Sequence, residues 1–197
     1  MVAALGIAWV LDGLEITTAS AVVAVLTDEA TLGISTTQAG AIATVYLLGE
    51  VFGALFFGRL SDALGRRNLF ILTLGVYLVG NALTALTWGN DVYALTFLYL
   101  TRFIAGAGIG GEYAAINSAI DEMIPAKYRG RVDIAVNGTY WFGALLGTLG
   151  TFVLLKQVEL GIAWRIAFLV GPGHWHRHLG IASAPAGESA LADHARA

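Results

Sequence analysis

The stretch GRLSDALGRR, Gly58 to Arg67, is an island of charge between two apolar runs, Thr37–Phe57 before it and Leu69–Trp88 after it. Each run is close to the roughly 20 residues a helix needs to cross a bilayer core about 30 Å thick. Working outward, the same test finds three more spans, at Val2–Thr27, Val92–Ile120 and Val132–Leu155. A sixth begins near Gly161 as GIAWRIAFLVG and runs into GPGHWHRH. Its roughly eleven residues would reach only about 16 Å, half a bilayer.

Composition points the same way. Of 197 residues, 57% are hydrophobic and only 13% are charged, against roughly 25% charged in an average soluble domain. A soluble domain of this size could not hide so much apolar surface and still cover itself with polar groups. Lys and Arg together number 11 and the net charge is -3, which excludes a nucleic-acid binder. The chain has no cysteine, which excludes a disulfide scaffold and a cysteine-ligated metal centre. The expected class is an all-α membrane protein.

The charges between spans set its orientation. Arg59, Arg66 and Arg67 follow the second span, and Lys127, Arg129 and Arg131 follow the fourth. The loops after the first and third spans carry Asp28, Glu29 and Asp91 and no basic residue, and the loop after the fifth carries Lys156. By the positive-inside rule the even-numbered loops and the N-terminus are cytoplasmic. The first span is no signal peptide. It lacks a basic leader, is too long, and contains Asp12 and Glu15.

Ionisable residues at bilayer depth cost on the order of 2.5–3.5 kcal/mol to insert, so each needs a reason. Asp12 lies about 15 Å from the cytoplasmic side of its span, and Arg102 about 15 Å from the outer side of a span running the other way. Both fall near the midplane, where they can neutralise each other. Protonating Asp12 would then release Arg102, a chemical basis for coupling a proton to a conformational change. A static ion pair that fixes helix packing accounts for the same depths. Glu15, three residues after Asp12, shares its helix face. Glu50 is placed nearer the cytoplasm, with structural and functional readings both open, and Glu112 near the inner boundary, within reach of water. Gly49/Gly53, Gly106/Gly110 and Gly143/Gly147 have the four-residue spacing that lets membrane helices approach closely. The spans hold no histidine and no serine–histidine or metal-ligand set, which argues against an intramembrane enzyme.

The pattern of Gly58, Asp62, Gly65, Arg66 and Arg67 closely resembles the signature between helices 2 and 3 of the major facilitator superfamily. Ala63 departs from it, where the family usually has Lys or Arg. RFIAGAGIGGEYAAINSAIDEMIPAKYRGR, Arg102 to Arg131, resembles helix 4 and the following loop of the sugar-porter and metabolite–proton symporter branches. Arg102, Gly106, Gly108, Gly110, Gly111 and Glu112 match the helix, and Glu122 with Arg129-Gly130 matches the loop. The resemblance covers about residues 2–171. It implies the N-terminal six-helix bundle of the major facilitator fold, with the sixth helix cut short.

The resemblance also implies roles. Asp12, with Glu15, and Arg102 look like the proton-coupling acid and arginine of helices 1 and 4. Gly58, Asp62, Gly65, Arg66, Arg67, Glu112, Glu122 and Arg129 look like the cytoplasmic gating motifs. Asn137 stands where sugar porters have a substrate-binding glutamine, with Tyr140 close by. The fifth span lacks the Gly-Pro motif of proton antiporters, which favours symport or uniport. The implied function is transmembrane transport of a small polar solute, a sugar or an organic acid, with a proton, in the cell membrane. No cofactor or metal is expected. The implied partners are the bilayer, the solute, the proton, and a missing C-terminal half or second chain.

After Gly171 the sequence changes character, and all four histidines fall in the tail HWHRHLGIASAPAGESALADHARA. Residues 172–197 are expected to be foreign to the fold, as a shifted reading frame would leave them. His174, His176 and His178 alternate, but no carboxylate or cysteine lies among them, so no metal site is expected. The alternative to a transporter is an inactive truncated fragment or a membrane partner without transport activity.

Overall fold

A computed structural model describes residues 2–169, except for the side chains of residues 2–5, 8, 11, 61–64, 66–67 and 115–123. The expected positions Asp62, Arg66, Arg67 and Glu122 therefore have only their backbones described, and the whole histidine-bearing tail lies outside the described residues. The chain forms α1 (Val2–Val25), α2 (Thr36–Leu64), α3 (Arg66–Ala85), α4 (Val92–Met123) and α5 (Ala126–Gln157). A shorter apolar helix, α6, is described over Leu160–Leu169. Among the described residues, α2 to α5 each hold a stretch long and apolar enough to cross a membrane.

Several helix ends differ from the apolar boundaries. The Gly58–Arg67 island is not a loop: α2 continues through it to Leu64, and only Gly65, at φ 76°, separates α2 from α3. Likewise α5 begins at Ala126, ahead of its apolar stretch. Hydropathy marks what lipid covers, whereas backbone hydrogen bonding continues into water. The starts of α2 and α4 are capped. Gln38 N–H donates to Ser35 Oγ at 3.2 Å and Ser35 N–H donates to Gln38 Oε1 at 2.8 Å, a reciprocal capping box that opens α2. Ala94 N–H donates to Asp91 Oδ1 at 2.9 Å and opens α4.

The glycines decide which helices touch. A Cβ on Gly49 or Gly53 of α2 would overlap the backbone of Phe103 or Ala107 in α4, and one on Gly106 or Gly110 of α4 would overlap Tyr46 or Glu50. The same device joins α1 to α5, where Gly13 meets Tyr140, Gly143 meets Val10 and Gly147 meets Leu14. On the other side of α4, Gly108 meets Thr73 and Tyr77 of α3. So α4 is clasped between α2 and α3, while α1 lies against α5.

The end of the bundle where α2 and α4 begin is closed by an apolar cluster of Val22, Ile34, Ile42, Leu98, Trp164 and Phe168, which binds α6 to α1, α2 and α4. Arg165 secures it from the edge. Its guanidinium donates to the Ala85 carbonyl at the end of α3 and lies 4.5 Å and 4.4 Å from the ring centres of Trp88 and Trp164. Arg165→Ala removes one hydrogen bond and two cation–π contacts, so it should lower unfolding stability by about 1–2 kcal/mol. Thermal unfolding followed by tryptophan fluorescence checks this, and an unshifted melting temperature would count against the clamp.

Candidate functional site

Every acid noted inside the spans faces the interior or a pocket. Asp12 of α1 is 3% exposed, and its Oδ2 has no hydrogen-bond partner. Glu15, one turn on, lies within electrostatic reach of Tyr77 of α3. Glu112 of α4 is 1% exposed, lies within electrostatic reach of Asp12 and Glu15, and also leaves an oxygen unpaired. Depth counting placed Glu112 where it could reach water. Instead Gly108 and Gly111 draw α4 against Phe57, Thr73 and Tyr77, and the residue that follows is enclosed.

Three rings close the space beside these acids. Trp9 stacks on Tyr113 with centroids 4.8 Å apart and meets Tyr140 edge-on at 6.3 Å. This joins α1, α4 and α5, and Val136 fills in behind Trp9. The Trp9 Nε1 donor is buried and unpartnered, like the nearby carboxylate oxygens. Buried donors and acceptors left unpaired are groups that water or a polar solute satisfies.

Arg102 is 3% exposed, but its bonded partner is not Asp12. Nη1 donates to Asn81 Oδ1 of α3 at 2.8 Å, and the guanidinium carbon lies 4.5 Å from the Tyr46 ring centre and 5.1 Å from that of Phe168. Asn81 was not singled out in the sequence. An amide in the middle of an otherwise apolar span was the available signal. Glu50 was placed nearer the cytoplasm, yet it borders the same pocket as Arg102.

The two positions expected to touch substrate are arranged differently from each other. Asn137 Nδ2 donates to the Asp133 carbonyl and to Asp133 Oδ1, both at 2.9 Å, so its amide nitrogen is held by its own helix. Tyr140 faces Trp9. Trp141 is 74% exposed on the outer surface of α5. At the end of the bundle where α4 finishes, Arg129 Nε donates to the Ile124 carbonyl at 2.9 Å, just past the end of α4, and Gly58 lies beside Ala114.

Residues 8–186 match the family described as sugar (and other) transporter. The chain belongs to that family. The match runs past Gly171, where the sequence changes character. Within the family, the chain is 30% identical to the niacin transporter of Acinetobacter baylyi over 84% of its own length and 35% of the relative's. It is 27% identical to the sialic acid transporter of Escherichia coli over 73% of its length and 33% of that protein's. The chain spans about a third of the length of these relatives. In fold it resembles the E. coli xylose transporter in its inward-open conformation, with a TM-score of 0.76 and 20% identity over 93% of this chain and 46% of that one. It is thus a multi-pass membrane protein with the fold of the N-terminal portion of a major facilitator transporter, and its family is one of transporters.

Proposed function

We propose that this chain supplies the N-terminal helices of a proton-coupled secondary transporter for a small polar solute, a sugar or an organic acid. The observation that carries the reading is Asp12. A carboxylate this buried, with an unpaired oxygen and two further acids near it, has no fixed cation partner, so exchanging a proton there changes what the surrounding helices must bring to it. Arg102, bonded to Asn81 here, is the cation available on α4. Glu15 belongs to the same face and passes the charge state of Asp12 to Tyr77. Asn137 and Tyr140 are proposed to meet the solute, and Gly58, Asp62, Gly65, Arg66, Arg67, Glu112, Glu122 and Arg129 to form the cytoplasmic gate.

The relatives' names, niacin and sialic acid among them, support a small polar solute. Alternating access needs a second set of helices rocking against this one. A C-terminal half or a second chain would supply them. An inert fragment or a non-transporting partner is the weaker reading, because buried unpaired acids lower stability and a purely structural protein has no use for them.

The test is uptake into proteoliposomes with an imposed pH gradient, offering nicotinate, sialic acid and xylose to the chain alone and to the chain together with the C-terminal helices of a family member. Gradient-driven accumulation of one solute is expected. Equal uptake with and without the gradient would overturn proton coupling, and no uptake of any solute in either preparation would overturn transport.

We also place the chain in the cell membrane with its N-terminus in the cytoplasm, following the basic loops. Alkaline phosphatase fused at Asn90 should be active in a bacterial host, and the same enzyme fused at Lys127 inactive. The reverse pattern would invert the topology.

A further inference from the structure

A pocket of about 300 Å³ opens between α1, α2 and α4, within the range of small-molecule sites. Its walls are mostly apolar, with Ile16, Ala19 and Val23 from α1 and Ile42, Ala43 and Leu47 from α2, and the hydroxyl-bearing Ser20 and Tyr46 complete them. Its charged groups are Arg102 and Glu50. Arg102 is nearly fully buried and fixed. Asn81 holds one terminal nitrogen, and Tyr46 and Phe168 hold the plane. Its Nε–H has no partner. A buried donor left unmade is costly, and a guanidinium presents its donors as a planar fork. The acceptor that fits such a fork is a carboxylate.

The rest of the pocket narrows the choice. A sugar would lay most of its hydroxyl groups against six apolar side chains and leave them unsatisfied, since the Ser20 hydroxyl already donates to the Ile16 carbonyl. An inorganic oxyanion would satisfy Arg102 and leave the apolar volume empty. An organic monocarboxylate answers both surfaces. We infer that this pocket is a subsite for a small monocarboxylate with an apolar or aromatic body, its carboxylate on Arg102 and its body against α1 and α2. The inference rests on the transport reading only in taking this ligand to be the solute carried. Glu50 borders the same pocket, and its negative charge opposes a second carboxylate there. This places the charged end of the solute on α4, away from Asn137, whose amide is held by Asp133.

The probe is radiolabelled benzoate, measured by equilibrium binding to the purified chain in detergent. Benzamide tests the need for charge, and dodecanoate tests whether a membrane-derived fatty acid is the better occupant. Benzoate should bind saturably and benzamide should compete at least tenfold less well. Arg102→Gln should weaken benzoate at least tenfold, the loss expected for charge-assisted hydrogen bonds. Glu50→Gln should tighten it severalfold.

Because Arg102 also binds Asn81, its variant can fail to fold. Ala43→Phe fills the pocket from an exposed helix position. It should abolish binding with an unchanged melting temperature. Several results would overturn the inference: no benzoate binding by folded protein, equal competition by benzamide, full binding in Ala43→Phe, or binding of dodecanoate alone. Xylose uptake without benzoate binding would remove this subsite and leave the transport reading standing. Benzoate binding without uptake of any solute would do the opposite.

Discussion

Gly110→Val should leave almost no folded protein. A Cβ at Gly110 would lie 2.7 Å from the Glu50 carbonyl carbon and 2.8 Å from its Cα, and closer still to the carbonyl oxygen. Carbon atoms pack at about 3.5–4.0 Å, so α2 and α4 would have to part. The obstruction is helix backbone, and no rotamer change relieves it. Overpacking a core usually costs about 1–3 kcal/mol, and this site belongs at or above the top of that range. Gly143→Val should behave alike, since its Cβ would fall 2.7 Å from the carbonyl carbon of Val10 across the α1–α5 contact. The control is Gly75→Ala in α3, where a Cβ meets nothing within 4 Å. That change should stay within about 0.5 kcal/mol of the parent. Yield of monodisperse protein after detergent extraction, followed by thermal unfolding, separates the cases. Equal yields for Gly110→Val and Gly75→Ala would mean that α2 and α4 do not meet at these glycines.

The four-residue glycine spacing was visible in the sequence, and it announces a close helix contact. It does not say which helix is the partner. That needs the azimuth of each glycine, and here one contact is α2 with α4 and the other α1 with α5. The limits of reading depth alone are clearest at Arg102. Counting along a helix gives a height, and at that height Asp12 seemed the natural partner for a lone cation. Rotation about the helix axis, which the count ignores, turns the guanidinium to Asn81 and to the rings of Tyr46 and Phe168. Glu112 was misjudged for a related reason. Its height sits near the membrane boundary, but the glycines before it pull the helix into its neighbours and shut out water. The apolar lengths depend only on local chemistry, and these were legible. Groups that meet across helices were not.

The second large effect is at the acid itself. Asp12→Asn should abolish accumulation of solute against its gradient while leaving exchange intact. Asparagine nearly matches aspartate in shape, so packing around Trp9 and Glu15 should survive. What it lacks is a proton to release. If one proton moves with each solute, a pH difference of one unit sustains about tenfold accumulation, because each tenfold ratio is about 1.4 kcal/mol. The variant should fall to simple equilibration, about onefold. Exchange of labelled for unlabelled solute needs the loaded carrier to reorient without releasing its proton, so it should continue. The same substitution makes a separate prediction about stability. Asp12 leaves an oxygen unpaired in a nearly closed interior beside two other acids. Removing a buried charge with no paired cation is neutral or stabilising, so Asp12→Asn should melt at the parent temperature or above it when assayed at neutral pH. A variant that lost both accumulation and stability would assign Asp12 to the scaffold, and a variant that still accumulated solute tenfold would move the proton site elsewhere. Loss of accumulation in a protein at least as stable as its parent is the combination that only a working acid predicts, since selection then keeps a group that the fold alone would be better without.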